Sequence, residues 1–355
     1  MINHLRQIAA DIDRLLADDE FPATVRPDYL RDAVRDYPVR GGKRLRPAML
    51  IWSCGLLGGS ESAALYPAAA VEVFHNWTLV HDDIIDQDDT RRGAPTSHVK
   101  LAAELGGKFS LGAGDAERTG RDFAILAGDL QQGWANDLLL RSAEHGVPPE
   151  VTVALGRRFQ KLANSDLISG EALDVEFSLR ELTGLKSQEV RTMLGLKTGA
   201  LLQFCTEAGA MIALNTADAE HPDVRKLSEF ALAAGIAFQL RDDYLGIFGV
   251  YDSLGKALGN DLREGKATVM LLDTLRLASA ADREKLLGYI GRETYSDADL
   301  DDVRRIMRDS GAAASNEAEA ARLAEQARNI LRSFPDNPYR QHMLDLVNFL
   351  IDRER

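Results

Sequence analysis

Two acidic runs in this chain carry residues whose spacing could do chemistry. They are Val80-His81-Asp82-Asp83-Ile84-Ile85-Asp86-Gln87-Asp88-Asp89-Thr90-Arg91-Arg92-Gly93 and Gln239-Leu240-Arg241-Asp242-Asp243-Tyr244-Leu245-Gly246. Each follows an apolar run with helical rhythm. On a helix, Asp82 and Asp86 stand one turn apart on one face, and His75 lies two turns before Asp82 on nearly the same stripe. Like charges at that spacing repel unless a cation bridges them, and carboxylate oxygens are ligands that magnesium prefers. Magnesium completes its shell with water and substrate phosphate. The alternative is an acidic helix end held only by solvent. Two features of the sequence weigh against it: the run Trp77-Thr78-Leu79-Val80 implies a buried approach, and Arg91 and Arg92 follow closely. A phosphate-bearing ligand accounts for both, because metal bridges the carboxylates and guanidiniums bind phosphate by bidentate hydrogen bonds.

A third segment adds positive charge. Arg40-Gly41-Gly42-Lys43-Arg44-Leu45-Arg46-Pro47 packs four cations around two glycines in a chain whose formal net charge is −13. That overall charge argues against nucleic acid as a partner, since phosphate backbones select basic faces. An anionic substrate must be held by such a local cluster or by metal ions. Cys54 and Cys205 are the only cysteines, far apart and without metal-ligand spacing, so they form no disulfide framework and suit a reducing, cytoplasmic compartment. The N-terminal stretch from Met1 lacks the apolar core of a signal peptide. No run approaches the roughly 20 consecutive apolar residues of a spanning helix; even Ala68 to Val80 contains Glu72, His75 and Asn76. A soluble protein is expected.

The elements that must position these residues are helices. With 355 residues, 45% hydrophobic and 27% charged, the chain can bury a large core. Apolar residues recur at three- and four-residue intervals in segments rich in Ala, Leu, Glu and Arg. The spacing predicts about twelve helices, most clearly near 2–18, 44–58, 62–86, 121–145, 149–180, 186–212, 222–248, 266–279, 300–311, 315–333 and 337–353. Period-two strands are not expected. The fold class is therefore all-α, and without a linker or a shift in composition the expectation is one domain over 1–355. The segment 104–120, with five glycines, reads as a flexible excursion between helices.

Taken together, the motifs resemble those of the trans-prenyltransferase (polyprenyl synthetase) family across most of the chain. Besides the segments above, they include Ala124-Ile125-Leu126-Ala127-Gly128-Asp129, Lys197-Thr198-Gly199-Ala200, Phe238-Gln239-Leu240-Arg241-Asp242-Asp243 and Gly259-Asn260-Asp261-Leu262-Arg263-Glu264-Gly265-Lys266. The resemblance implies the isoprenoid synthase fold, a large helical bundle around a central catalytic cavity. It implies that Asp82 and Asp86 bind two magnesium ions and that Asp242 binds a third from the opposite wall. Arg91, Lys197 and Lys256 would bind an allylic diphosphate, with Thr198 and Gln239 nearby and Lys266 reaching it from the loop after the second aspartate pair. Lys43, Arg46, His75 and Arg92 would hold isopentenyl diphosphate. A homodimer is also implied.

This inventory suits a reaction in which diphosphate leaves an allylic carbon. The charge that grows on the leaving group needs cations fixed in advance, and the carbocation needs an apolar vessel that excludes water. No histidine or carboxylate stands out as a dedicated base, which leaves the released pyrophosphate to take the final proton. Three departures from the family pattern are visible: Gly246 stands where many members have a third aspartate, the 104–120 segment is long, and Ala257 stands where proline is common. In the resembling enzymes a bulky residue five before the first motif floors the chain pocket. Trp77, with Phe74 on the same face, is expected to stop elongation early, at geranylgeranyl diphosphate or the shorter farnesyl diphosphate; the alternative is that both rings are ordinary core. A class I terpene cyclase is a rival, but in the near-match Asn136-Asp137…Leu140…Glu144 the leucine cannot ligate metal, and Lys43 and Arg46 would be idle. A non-catalytic partner subunit is a second rival, disfavoured by the near-complete ligand set.

Overall fold

A computed structural model describes residues 1–249 and 258–351, and they form two compact units. The first comprises Met1–Gly156 and Ala208–Ala219, the second Arg157–Glu207 and Glu220–Arg355. In chain order the helices begin with α1 Ile2–Asp18, α2 Asp28–Val39, α3 Leu45–Leu56, α4 Glu61–Ile85, α5 Ser97–Phe109 and α6 Ala113–Arg141. They continue with α7 Pro149–Phe159, α8 Leu167–Leu179, α9 Ser187–Leu194, α10 Ala200–Ala213 and α11 Pro222–Phe248. The last are α12 Asn260–Arg263, α13 Val269–Leu277, α14 Ala280–Leu287, α15 Asp297–Asp309, α16 Ala312–Arg332 and α17 Pro338–Ile351. The all-α expectation holds, and among the described residues no helix is long and apolar enough to cross a membrane.

Helix α4 is the spine of the first unit. Its middle carries small or branched apolar residues, Ala68, Ala69, Ala70, Val71 and Val73, each fully buried, in a helix that runs for 25 residues. Helix α1 shows the simpler amphipathic case, burying Ile8, Ile12 and Leu16 on one stripe. Helix α15 begins at Ser296 with a reciprocal capping box to Asp299, which satisfies two of the donors a helix start leaves open.

Three local features depart from the expected pattern. The 104–120 segment is not a flexible excursion: all but 110–112 lies in α5 and α6. Two of its glycines, Gly106 and Gly120, serve helix packing. A Cβ on Gly120 would stand 2.4 Å from the His98 carbonyl oxygen and 2.7 Å from Ala102, so the bare backbone lets α6 lie directly on α5. The second departure is a two-stranded hairpin, β1 Thr90–Arg91 paired antiparallel with β2 Ala94–Pro95, although no strands were expected. Its two turn residues, Arg92 and Gly93, both have positive φ, 54° and 76°, the geometry that two-residue hairpin loops favour. Third, the long helical spans expected at 149–180 and 186–212 are interrupted by π-helical turns at Gln160–Asp166 and Gly195–Gly199. Beside the second of these, Gly170 of α8 meets the Lys197 backbone so closely that a Cβ would be 2.2 Å from its nitrogen.

The glycine-rich segment can be tested by contrast. Gly107, with open space around it, and Gly120 lie on neighbouring helices. Gly107→Ala is expected to leave stability unchanged or raise it by about 0.5–1 kcal/mol, through helix propensity. Gly120→Ala is expected to lower it by about 1–3 kcal/mol, through overpacking. Urea unfolding of the two variants checks the difference; equal effects would return the segment to an unpacked excursion.

Candidate active site

In the first unit the site is built around the C-terminal end of α4. Asp82 is in the last turn, Asp86 is the C-cap residue, and the Asp86 amide donates to the Asp82 carbonyl at 2.8 Å. The free carbonyls of a helix C-terminus carry partial negative charge, so carboxylates there raise local energy unless cations answer them. Arg91, on the hairpin, supplies one. Its Nη2 is 3.8 Å from Asp82 Oδ2, and its Nε donates to Asp83 Oδ1 at 2.5 Å.

Asp83 itself is fully buried and was missed as a site residue. Besides Arg91 it accepts a hydrogen bond from the Tyr37 hydroxyl, whose oxygen in turn accepts from the Ser97 amide at 3.2 Å. Burial, then the bond to Asp83, raises the Tyr37 pKa above its ordinary value, so the phenol stays a donor. The signal was present in sequence, since position 83 falls on the stripe of Asn76 and Val80, the buried face of α4. Adjacent aspartates thus divide their work: Asp83 turns inward to fix Arg91, and Asp82 turns outward.

The basic loop divides in the same way. Arg44 is only 2% exposed and begins α3 with a left-handed backbone, φ 47°. It donates to Asp13 at 2.6 and 2.9 Å, to the Pro38 carbonyl at 2.6 Å and to buried Glu72. Arg44 is therefore an anchor, and its neighbours carry the exposed charge. Arg46 Nη1 lies 3.0 Å from His75 Nε2, and exposed Arg92 donates to the Gly41 carbonyl. A Cβ on Gly42 would be 3.3 Å from Arg92 Nη1, so the paired glycines let the two basic loops meet. Lys43 lies exposed in the same loop. Lys43, Arg46, His75 and Arg92, four residues assigned to one ligand, are thus held on adjoining segments of one unit.

His75 is held neutral. Burial, followed by the charges of Arg46, Arg92, Arg91 and Arg44, lowers its pKa well below 6.5. Because guanidinium can only donate, Nε2 is the acceptor and Nδ1 carries the proton, 3.5 Å from Thr78 Oγ1. Four arginines thus act on one neutral ring in an acidic protein, Arg44 and Arg91 among them paired with the buried carboxylates of Glu72 and Asp83. Phe74 and Trp77 are both buried; their rings are 4.7 Å apart, and Trp77 meets His81 edge-on at 5.4 Å. His81 packs against bare Gly128 of α6, where a Cβ would be 2.3 Å from Nε2.

In the second unit, Gln239, Asp242 and Asp243 lie on α11. Asp242 is exposed, while Asp243 is buried and accepts from Gln239 Nε2 at 3.1 Å. Burial first, then the charge of Asp261, pushes the Asp243 pKa up to about 8, with Asp242 and Asp174 adding to it. Lys197 and Thr198 ride the π-helical turn, and Lys197 Nζ is held by Asp174 at 2.7 Å and Glu171 at 2.8 Å, both on α8. Glu171 and Asp174 were not anticipated; an acidic pair three apart just after Gly170 is a faint signal. Lys266 pairs with Glu264 at 3.1 Å. Lys256 lies outside the described residues. Among the described residues no three His, Cys, Asp or Glu side chains converge as a finished metal cage. The donor set is all oxygen and sparse, which fits magnesium, an ion that keeps waters and shares substrate phosphate, better than zinc.

A family model described as polyprenyl synthetase matches residues 27–307. The chain is similar to a geranylgeranyl diphosphate synthase of Sulfolobus acidocaldarius, 40% identical over 262 residues, 73% of this chain and 71% of that protein. Among solved structures, geranylgeranyl pyrophosphate synthetase from Pyrococcus horikoshii matches with TM-score 0.84 and 30% identity, covering 99% of this chain and 98% of that one. A geranylgeranyl pyrophosphate synthase from Corynebacterium glutamicum, solved with isoprenyl diphosphate and magnesium, matches with TM-score 0.83 and 29% identity, at 98% coverage of both chains.

The neutral His75 gives stability a pH signature. Below about pH 6.5 an unfolded histidine takes up a proton that folded His75 refuses, so stability falls as pH falls, with a slope of up to about 1.4 kcal/mol per pH unit. His75→Gln keeps an acceptor for Arg46 and cannot titrate. Urea unfolding between pH 7.5 and 5.5 is expected to show a shallower pH slope for the variant than for the wild type; equal slopes would place a proton on folded His75.

Proposed function

Because the chain belongs to the polyprenyl synthetase family, we propose that it is a magnesium-dependent prenyltransferase that joins an allylic diphosphate to isopentenyl diphosphate, releasing pyrophosphate and geranylgeranyl diphosphate. The observation that carries this reading is the cationic pocket at Arg46, His75 and Arg92, separate from the carboxylates of Asp82 and Asp86. A phosphate site built from protein cations beside one that invites metal accounts for two diphosphates. Two diphosphates call for condensation.

Asp82 and Asp86 would hold two magnesium ions and Asp242 a third; bound there, the ions neutralise charge on the leaving diphosphate. Arg91, steadied by Asp83, binds the same group, together with Lys197, Thr198, Gln239, Lys256 and Lys266. Lys43, Arg46 and Arg92 grip isopentenyl diphosphate, and neutral His75 orients Arg46 without adding a charge. As the allylic C–O bond breaks, the alkene of isopentenyl diphosphate forms the new C–C bond. The proton it then loses goes to pyrophosphate. Trp77 and Phe74 limit the chain; the large buried rings on α4, one turn and more before Asp82, support that role. Exposed Ile125, Leu126 and Leu140 on α6 support a homodimer through that helix, and two buried free thiols support a cytoplasmic setting.

Incubation of the pure protein with allylic primers, with and without labelled isopentenyl diphosphate, tests the function. Chain extension is expected only with both substrates and magnesium, with geranylgeranyl diphosphate as the main product. Asp82→Ala is expected to reduce pyrophosphate release by about 10²–10³-fold, and Trp77→Ala to lengthen the product. Turnover of the allylic diphosphate alone would make the protein a cyclase; no condensation with any primer would make it a partner subunit.

A further inference from the structure

Helix α16 carries one buried polar residue that its packing against α11 does not account for. Asn316 is only 3% exposed. Its Nδ2 donates to the Leu240 carbonyl of α11 at 2.9 Å, and because a carbonyl can only accept, this bond fixes which way the amide points. Its Oδ1 has no hydrogen-bond partner among the described residues. Helix α11 does not need the bond, since within the helix the Leu240 carbonyl already accepts from the Tyr244 amide. A buried acceptor left unpaired lowers stability, and a leucine of nearly the same shape would remove that cost. Stability alone therefore does not explain an asparagine here.

The bond fixes register at a chosen place. It meets α11 two residues before Asp242. The next residue of α16, Glu317, lies 3.5 Å from Arg241 Nη1, and the Arg241 guanidinium lies 5.3 Å from the Tyr244 ring. Helix α16 is thus bonded to the stretch of α11 that brackets Asp242. Three residues after Asn316, Glu319 forms a two-pronged ion pair with Arg191 of α9, its contacts between 2.6 and 3.1 Å. Helix α9 runs directly into the π-helical turn that carries Lys197 and Thr198. Where α11 and that turn touch directly, the contact is apolar: a Cβ on Gly199 would stand 2.8 Å from the Leu232 side chain. Such a contact is non-directional and sets no register by itself, whereas a hydrogen bond and a bidentate ion pair do.

We propose that Asn316 is a positioning residue: with Glu319 it makes α16 a crossbar that sets the spacing of Asp242 on α11 and Lys197 on the π-helical turn, and so the grip on the allylic diphosphate. The inference rests on the prenyltransferase reading given above. Neither Asn316 nor Glu319 touches the substrate; each acts through the backbone or the helix that it holds.

The test compares two affinities in the wild-type chain, Asn316→Leu and Glu319→Gln. Calorimetry reads the binding of a non-cleavable allylic thiodiphosphate with magnesium, and separately that of isopentenyl diphosphate, whose proposed site lies in the first unit. Urea unfolding is run on the same proteins. Asn316→Leu is expected to weaken thiodiphosphate binding by about tenfold, as loss of an outer support of a metal site does, and to leave isopentenyl diphosphate binding within about twofold. Its urea midpoint is expected to equal or exceed that of the wild type. Glu319→Gln is expected to weaken the thiodiphosphate selectively as well. A residue that only packs the core would show the opposite pattern, with a lower urea midpoint and both ligands affected alike. That pattern, or unaltered thiodiphosphate affinity in either variant, overturns the proposal while leaving the prenyltransferase reading intact. A wild-type chain that does not bind the thiodiphosphate overturns both.

Discussion

Helix α4 carries its carboxylates to its own negative end, and the surroundings of that end are arranged to answer them. Asp82, Asp83 and Asp86 lie in the last turn and cap of α4, where the negative end of the helix dipole adds to their charge. The hairpin at Thr90–Pro95 exists to bring Arg91 and Arg92 back over this end within a few residues. Its turn places Arg92 in a left-handed conformation that a non-glycine residue adopts at some cost. What offsets that cost is the contact with the Gly41–Gly42 loop, which joins two basic segments into one pocket.

The same economy of roles recurs in each charged segment. In every one, a residue is buried to fix the backbone and its neighbour is left facing outward. Asp83 is buried against Arg91 and Tyr37, leaving Asp82 outward. Arg44 is buried against Glu72 and Asp13, leaving Lys43 exposed and Arg46 beside His75. Asp243 is buried against Gln239, leaving Asp242 exposed. Two of these contacts, Asp83–Arg91 and Arg44–Glu72, are buried ion pairs, which add little net stability, but losing one partner strands the other charge, at about 3–5 kcal/mol. These pairs therefore hold the orientation of the outward residues firmly even where they add little to the stability of the fold.

Much of this was legible in the sequence, for identifiable reasons. The helical rhythm of α4 and α11 is strong because one face of each is almost purely apolar, so the expected spans 62–86 and 222–248 fall within a residue or two of the observed helices. Asp82 and Asp86, with His75 on the same stripe, stood out by their helical spacing, whereas the grouping of Arg46, His75 and Arg92 came from the resemblance of their motifs to the family. What was not legible depended on tertiary contacts. Five glycines read as flexibility in 104–120, yet Gly120 is there because α5 leaves no room for a side chain. The buried halves of the charge pairs, Asp83 and Glu72, look in sequence like any other acidic residue, as does half-buried Asp174. Which of two adjacent aspartates turns inward follows from the 3.6-residue period only once the neighbouring helices are in place.

In the proposed enzyme the cluster of Lys43, Arg46, His75 and Arg92 is a second diphosphate site made by protein cations alone. Calorimetric titration of isopentenyl diphosphate into the wild-type chain, without any divalent metal, tests it most directly. Saturable binding at one site per chain is expected, weakened by added salt and lost in Arg46→Gln while the fold is retained. Binding that requires magnesium, or that survives unchanged in Arg46→Gln, would contradict it.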